Sequence, residues 1–294
     1  DLKEGERLWR LFSPNLEWWD LWEVRQCFIQ NINNPLHFIV GYNKGELAGV
    51  LPLWHNLAEH YYTNIGDDYP ENNRIFLVDK NAANLFLEQC PKNTFIFFLD
   101  QTMARLYPFK QAVEHKYYLD LTKFKTIDDY LATFGKKHRK NVNYDINRLW
   151  REGYKIRLNQ PAADLMSVMA KYSIEHFGPE SLFLNQPFVN SMKEMMALAK
   201  EKNGLMVLEI VKDGQVVGAE VAIFYNGIYS IIINGVDGKI SNLGKLMLYE
   251  HIKNALKVGA VKFDMMTGCD WKDLWNFSLE PMYEWGDEAI LGIN

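Results

Sequence analysis

Leu205-Met206-Val207-Leu208-Glu209-Ile210-Val211-Lys212-Asp213-Gly214-Gln215-Val216-Val217-Gly218-Ala219-Glu220-Val221-Ala222-Ile223-Phe224-Tyr225-Asn226-Gly227-Ile228-Tyr229-Ser230-Ile231-Ile232-Ile233 decides the fold class. Two dipeptides, Asp213-Gly214 and Asn226-Gly227, interrupt three apolar runs. Each is a signal for a type I′ hairpin turn, in which both central residues take positive φ. Gly235-Val236-Asp237-Gly238 follows, then Ser241-Asn242, either of which suits a helix N-cap. Leu246, Tyr249, Ile252, Ala255 and Leu256 recur at helical spacing up to Gly259, a natural C′ residue. Ala260-Val261-Lys262-Phe263-Asp264 reads as a buried strand. The order is strand, strand, strand, helix, strand.

The same grammar occurs earlier. Gly45 and Gly49 stand 169 residues before Gly214 and Gly218, and Gly66 and Asp68 stand the same distance before Gly235 and Asp237. A helical stretch and the apolar run Phe95-Ile96-Phe97-Phe98-Leu99-Asp100 complete the first copy. Between the copies, Thr126 or Asp128 could cap a helix that Gly135 interrupts, and a longer helix runs from about Lys136 to before Gly153. Tyr154, Ile156 and Leu158 alternate with Lys155 and Arg157 as in a strand with one wet face. Helices are expected at about 162–177 and 188–203. This pattern predicts an α/β (α+β) protein of two tandem units, each a mixed, mostly antiparallel sheet flanked by helices. The expected domains are residues 1–120 and 121–294.

Composition bounds the rest. The chain has 294 residues, 48% hydrophobic and 23% charged, which excludes a disordered tail or a collagenous rod. Three scattered cysteines form neither a disulfide framework nor a zinc cluster, so a reduced, cytoplasmic protein is expected. No apolar run reaches 18 residues, and the start Asp1-Leu2-Lys3-Glu4 does not read as a secretory signal. No phosphate loop, His-Glu-x-x-His or Gly-x-Ser-x-Gly occurs, so neither a metal nor a nucleophilic cysteine is expected to carry chemistry. Net charge is −5, yet residues 136–157 carry eight cations against Asp145 and Glu152. Lys136, Arg139, Lys140, Arg148 and Arg151 lie near one side of a helix, as a phosphate-binding stripe would; a solvated helix face is the plainer reading.

The second copy resembles the Gcn5-related acetyltransferase (GNAT) fold, and residues 125–276 resemble the Fem-type and CelD-like acyltransferases. The residues carrying the likeness are Phe134-Gly135-Lys136-Lys137-His138-Arg139-Lys140-Asn141, Arg148-Leu149-Trp150-Arg151-Glu152-Gly153 and Asp213-Gly214-Gln215-Val216-Val217-Gly218-Ala219. Leu243-Gly244-Lys245-Leu246-Met247-Leu248, Phe263-Asp264, Gly268 and Trp271-Lys272 complete it. Fem-type proteins are built from two GNAT-like units, as the repeat leads one to expect. The resemblance implies acyl or aminoacyl transfer to an amine from acyl-CoA or a charged tRNA. No tightly bound cofactor follows from it. A catalytically silent binding protein on the same fold is the rival.

The family's Gln/Arg-x-x-Gly-x-Gly/Ala loop is reduced here to Ser241, Asn242, Leu243, Gly244 and Lys245, where only Gly244 and the helix start survive. Free backbone N–H groups there would still receive a diphosphate. Glu71-Asn72-Asn73, the counterpart in the first copy, has no glycine, so one donor site is expected, in the second. Asp237 is the first candidate for the base. Glu220 is the second, because burial would raise its pKa. Tyr229 or Tyr249 could supply the acid, and packing is the plainer role for either. In the first copy Tyr62, Asp67 and Asp68 are candidates for holding an acceptor ammonium, against a simple acidic turn. Lys272 matches a lysine common in the resembling family and would orient substrate. Trp271 and Trp275 are expected to pack on one helix face.

Overall fold

Three hairpins turn on residues in the left-handed region: Lys44 and Gly45 (φ 51° and 87°), Asp213 and Gly214 (50° and 81°), and Asn226 and Gly227 (46° and 79°). These are the type I′ turns that the dipeptides at 213–214 and 226–227 predict, and Lys44-Gly45 makes the same turn in the first copy. The structure, a computed structural model, describes residues 1–99, 110–161, 164–268 and 270–286. Asp100 and Cys269 lie outside them. The chain divides into two compact units, one holding Asp1–Lys116 and the segment from Glu280, the other Tyr117–Leu279.

In the first unit, helices α1 (Leu2–Phe12) and α2 (Trp22–Asn31) precede the sheet, and neither is anticipated by the sequence reading. Strands β1 (Leu36–Asn43), β2 (Glu46–Asn56) and β3 (Tyr61–Asn64) are antiparallel neighbours, and β4 (Phe76–Leu77) pairs with β2. A short helix α3 (Ala83–Leu87) leads to β5 (Phe95–Leu99), which is fully buried. Aromatic residues make up 14% of the chain, and this unit buries several of them. Trp9, Trp18, Trp19, Trp22, Phe28 and Trp54 are all buried, with Trp9 edge-on to Phe76 at 4.9 Å.

The second unit takes over within β6 (Lys110–Asp120). Helix α4 (Ile127–Leu131) opens with a capping box between Thr126 and Asp129, and α5 (Lys136–Arg151) starts at Gly135. Strand β7 (Lys155–Leu158), helices α6 (Leu165–Phe177) and α7 (Gln186–Glu201), and strands β8 (Leu205–Lys212), β9 (Gln215–Tyr225) and β10 (Ile228–Val236) follow. Helix α8 (Leu243–Lys257) and β11 (Lys262–Asp264) end the repeat; β12 (Ser278–Gly286) pairs with β5. The sheet order in this unit is β7-β8-β9-β10-β11-β6. Leu208, Tyr229, Leu246, Ile252 and Phe263 are in its core, so α8 covers one face. On the other face α6 comes so close that a Cβ on Gly235 would lie 2.4 Å from the Met169 carbonyl oxygen.

Two expectations change. Gly66 sits in a turn at φ 98°, whereas its counterpart Gly235 lies inside β10, so this pair does not share a role. Trp271 and Trp275 occupy a 3₁₀ segment, Asp270–Trp275, with Trp275 buried and Trp271 exposed. A four-residue spacing does not return to one side at three residues per turn.

Candidate active site

Strands β10 and β11 run parallel for only three pairs: Ile228 with Lys262, Tyr229 with Phe263 and Ser230 with Asp264. Beyond that they part. β11 goes on through Met265, whose N–H bonds to the Tyr117 carbonyl at 2.9 Å, while β10 continues to Val236 along β9. Residues 231–236 of β10 are thus left without a β11 partner. A bulge falls in this stretch, between Ile231 and Ile233. An extra residue there re-aims the side chains that follow.

Six residues separate the end of β10 from the start of α8. Its N-cap, Asn242, is left-handed at φ 73° and its side chain makes no cap, contrary to the capping role expected of Ser241 or Asn242. The first helical bond is Leu246 N–H to Asn242 O. The N–H groups of Leu243, Gly244 and Lys245 make no hydrogen bond among the described residues, and nothing lies within 4 Å of where a Gly244 Cβ would be. This helix start is therefore open to an anion.

Two basic residues tie this loop and helix start to α5. Arg148 of α5 donates to the Ser241 carbonyl at 3.0 Å and to Glu152 at 3.0 Å. Lys245 donates to Asp145 of α5 at 2.6 Å. Both acids of the basic segment are so engaged, and Arg157 lies 3.0 Å from buried Glu209. Lys136, Lys137, Lys140, Arg151 and Lys155 remain exposed with no ion pair among the described residues, and Tyr144 stands among them at 60% exposure. Arg139 is half-buried.

Beneath the divergent strand lies a group of buried polar side chains. Glu220, on β9, accepts from Asn234 Nδ2 at 3.0 Å; the two are cross-strand partners. His251 Nε2, from α8, is 3.1 Å from the other Glu220 oxygen, a close contact whose angle is too open for a well-aligned hydrogen bond. His251 Nδ1 is 2.8 Å from the Tyr229 hydroxyl, which also accepts from Asn254 Nδ2 at 3.1 Å. Burial raises the Tyr229 pKa, the Asn254 bond opposes this, and the nearby Glu220 charge adds to it. Asn234 alone is exposed. Glu220 and Tyr229 are thus joined through His251, a residue the sequence reading passed over. Its signal was there: His251 is a polar residue on the apolar helical face marked by Tyr249, Ile252 and Ala255.

Other expected residues lie elsewhere. Asp237 forms a turn, its Oδ1 accepting the Lys239 N–H at 3.0 Å. Lys272 is buried and donates to the carbonyls of Met265, at 2.8 Å, and Thr267, pinning the chain after β11. In the first unit the Tyr62 ring stacks on His55 at 4.5 Å and tilts against His37 at 4.7 Å. Asp67, left-handed at φ 53°, accepts from the Trp54 indole at 3.0 Å and from Asn56 at 3.4 Å. Burial pushes its carboxyl up to about 6 against these bonds. Asp68 is exposed.

The divergent strands, the bulge and the uncapped helix lie within residues 136–273, which match the acetyltransferase (GNAT) domain family. The fold of the chain is shared more widely. FemX is 12% identical with a TM-score of 0.59, covering 99% of this chain and 97% of its own. L-PGS from Bacillus licheniformis is 13% identical with a TM-score of 0.54, covering 93% and 94%. A tandem GNAT protein from the clavulanic acid biosynthesis pathway is 10% identical with a TM-score of 0.52, covering 97% and 95%. No curated protein matches the sequence. No helix among the described residues is long and apolar enough to cross a membrane.

Proposed function

We propose that the protein transfers an acyl group from acyl-CoA to an amine, with the donor in the second unit. The observation that carries this reading is the parting of β10 and β11 after three pairs, on the strand that leads into the open start of α8. The pantetheine arm would replace the missing strand along residues 231–236, its amides meeting unpaired backbone groups. The diphosphate would take the N–H groups of Leu243, Gly244 and Lys245, with Ser241 and Asn242 shaping the loop. Arg148 would act by holding that loop.

Attack on a thioester requires a neutral amine, a proton acceptor and donors for the developing oxyanion. Glu220 is favoured as acceptor over Asp237 because its cross-strand partner Asn234 lies in the stretch of β10 that β11 leaves, whereas Asp237 lies past the strand's end. The amine nitrogen gives its proton to Glu220, forms its bond to the thioester carbon, and the CoA thiolate leaves with a proton from solvent. Backbone N–H groups at the bulge would serve the oxyanion. In the first unit, Asp67 and Asp68, near Tyr61 and Tyr69 rather than Tyr62, supply anionic and aromatic groups suited to an ammonium-bearing molecule.

A second reading, transfer from aminoacyl-tRNA, is favoured by the exposed cations of α5 around Tyr144, since phosphates and stacked bases need such a face. Thermal shift with acetyl-CoA, CoA and tRNA in parallel separates the two. Stabilisation by both CoA ligands supports the first reading. Stabilisation by tRNA alone replaces it with the second, and none by any ligand leaves a silent binding protein.

A further inference from the structure

The hydrogen bonds of the buried group constrain where its protons lie. The Asn254 amide only donates from Nδ2, so the Tyr229 oxygen accepts there and its own hydrogen must go elsewhere. Among the described residues, the other hydrogen-bonding atom at the Tyr229 hydroxyl is His251 Nδ1, at 2.8 Å. Donation of the Tyr229 hydrogen to this atom leaves Nδ1 bare and puts the proton of a neutral ring on Nε2, facing Glu220 at 3.1 Å. Asn234 Nδ2 donates to the second Glu220 oxygen. Donation runs from Asn254 to Tyr229 to His251, whose Nε2 faces Glu220 in an open-angled contact, and from Asn234 to Glu220 from the other side.

We infer that His251, with its tautomer locked by Tyr229 and Asn254, is a positioning residue that holds Glu220 as an ionised proton acceptor opening toward Asn234. The inference rests on the acyl-transfer reading for its use and on the donor inventory for its geometry. A buried carboxylate stays charged only where N–H donors face it. Here they arrive from both sides. The chain also sets where a proton cannot go. His251 Nε2 already bears one, so a proton taken up by Glu220 stops there and leaves by the Asn234 side, the only exposed end. The titratable groups facing Glu220 are His251 from α8 and Tyr229 from β10; on β8 its cross-strand partner is Leu208.

Two measurements test this on the full chain. Long-range proton–nitrogen spectra of histidine-labelled protein, with the His251 signals assigned by their loss in His251→Gln, report the tautomer directly. A neutral ring protonated on Nε2 between pH 6 and 8 is expected, turning to a mixture in Tyr229→Phe. An imidazolium, or a proton on Nδ1, overturns the inference. The second measurement is CoA-thiol release from acetyl-CoA with a panel of primary amines. In His251→Leu the acid limb of kcat/KM should move to higher pH by about one unit, with CoA affinity unchanged. His251→Gln, which keeps a donor for Glu220 and an acceptor for Tyr229, should restore it. An unmoved limb in His251→Leu overturns the positioning role. Absence of turnover in the unmodified protein counts against acyl transfer alone, and the tautomer still decides the geometry.

Discussion

Arg148 of α5 donates from Nη2 to the Ser241 carbonyl at 3.0 Å, tying the basic helix to the peptide that precedes left-handed Asn242. A cation here does mechanical work: it fixes a loop whose next N–H groups are open. Arg148→Ala should therefore weaken CoA binding about tenfold, in line with the ~1.5–3 kcal/mol of a charged hydrogen bond. Titration calorimetry with CoA measures this. Affinity equal to that of the unmodified protein would show that the loop holds itself.

The outward cations should behave differently. Lys137, Lys140 and Arg151 are exposed, so replacing all three with Ala should change stability by less than about 0.5 kcal/mol per site. If a polynucleotide docks on this face, the slope of log affinity against log salt should fall by about 2 for the three lost contacts to a single strand. tRNA binding followed from 50 to 200 mM salt gives the slope. An unaltered slope would leave α5 with its loop-holding task only.

How legible this was depends on the residue. Turn dipeptides act through local backbone geometry, so Asp213-Gly214 and Asn226-Gly227 made the neighbours β8, β9 and β10 legible, but not the places of β6, β7 and β11 in the sheet. The basic run was visible as a total, yet its division was not. Whether Arg148 meets Ser241, 93 residues away, or solvent depends on packing that no spacing encodes. Lys272 shows the same limit from the other side, since a lysine that looked ready for substrate is buried against two carbonyls. Helix α2 escaped because its pattern is blurred, with Trp22, Val24, Arg25, Cys27 and Phe28 all buried, whereas α1 buries Gly5, Leu8 and Trp9 on one side and was legible.

Arg25 is where the first unit should be most sensitive. It is buried, with Nε on the Trp19 carbonyl at 2.9 Å, Nη1 on the Ile65 carbonyl and Asn73 Oδ1 at 2.8 and 2.9 Å, and Nη2 on the Asn72 carbonyl at 2.9 Å. Burial lowers its pKa to about 9, countered by the charge of Asp20, so it remains a cation at neutral pH. Arg25→Ala should cost about 3–5 kcal/mol by orphaning these acceptors. Arg25→Lys should recover little, lacking the planar fork. Urea denaturation measures both, and a loss under about 1 kcal/mol in Arg25→Ala would refute the anchoring role.

Asp67 gives a pH dependence of defined sign. Its carboxyl titrates near 3.8 when free and near 6 in the fold, burial outweighing the bonds from Trp54 and Asn56. The native state thus binds this proton more readily than the unfolded chain, and ionisation costs stability. That cost is fully present above the folded value, shrinks as pH falls through 6, and is gone below 3.8. Asp67→Asn keeps an acceptor for the Trp54 indole and removes the charge. Because the side chain is partly exposed, the gain at pH 7 should be about 1 kcal/mol, less than the full shift implies. At pH 4 the two proteins should be equal in stability. Paired urea titrations at pH 4, 5, 6 and 7 trace the difference, and a gain that does not change with pH would mean that Asp67 is ordinary in its ionisation.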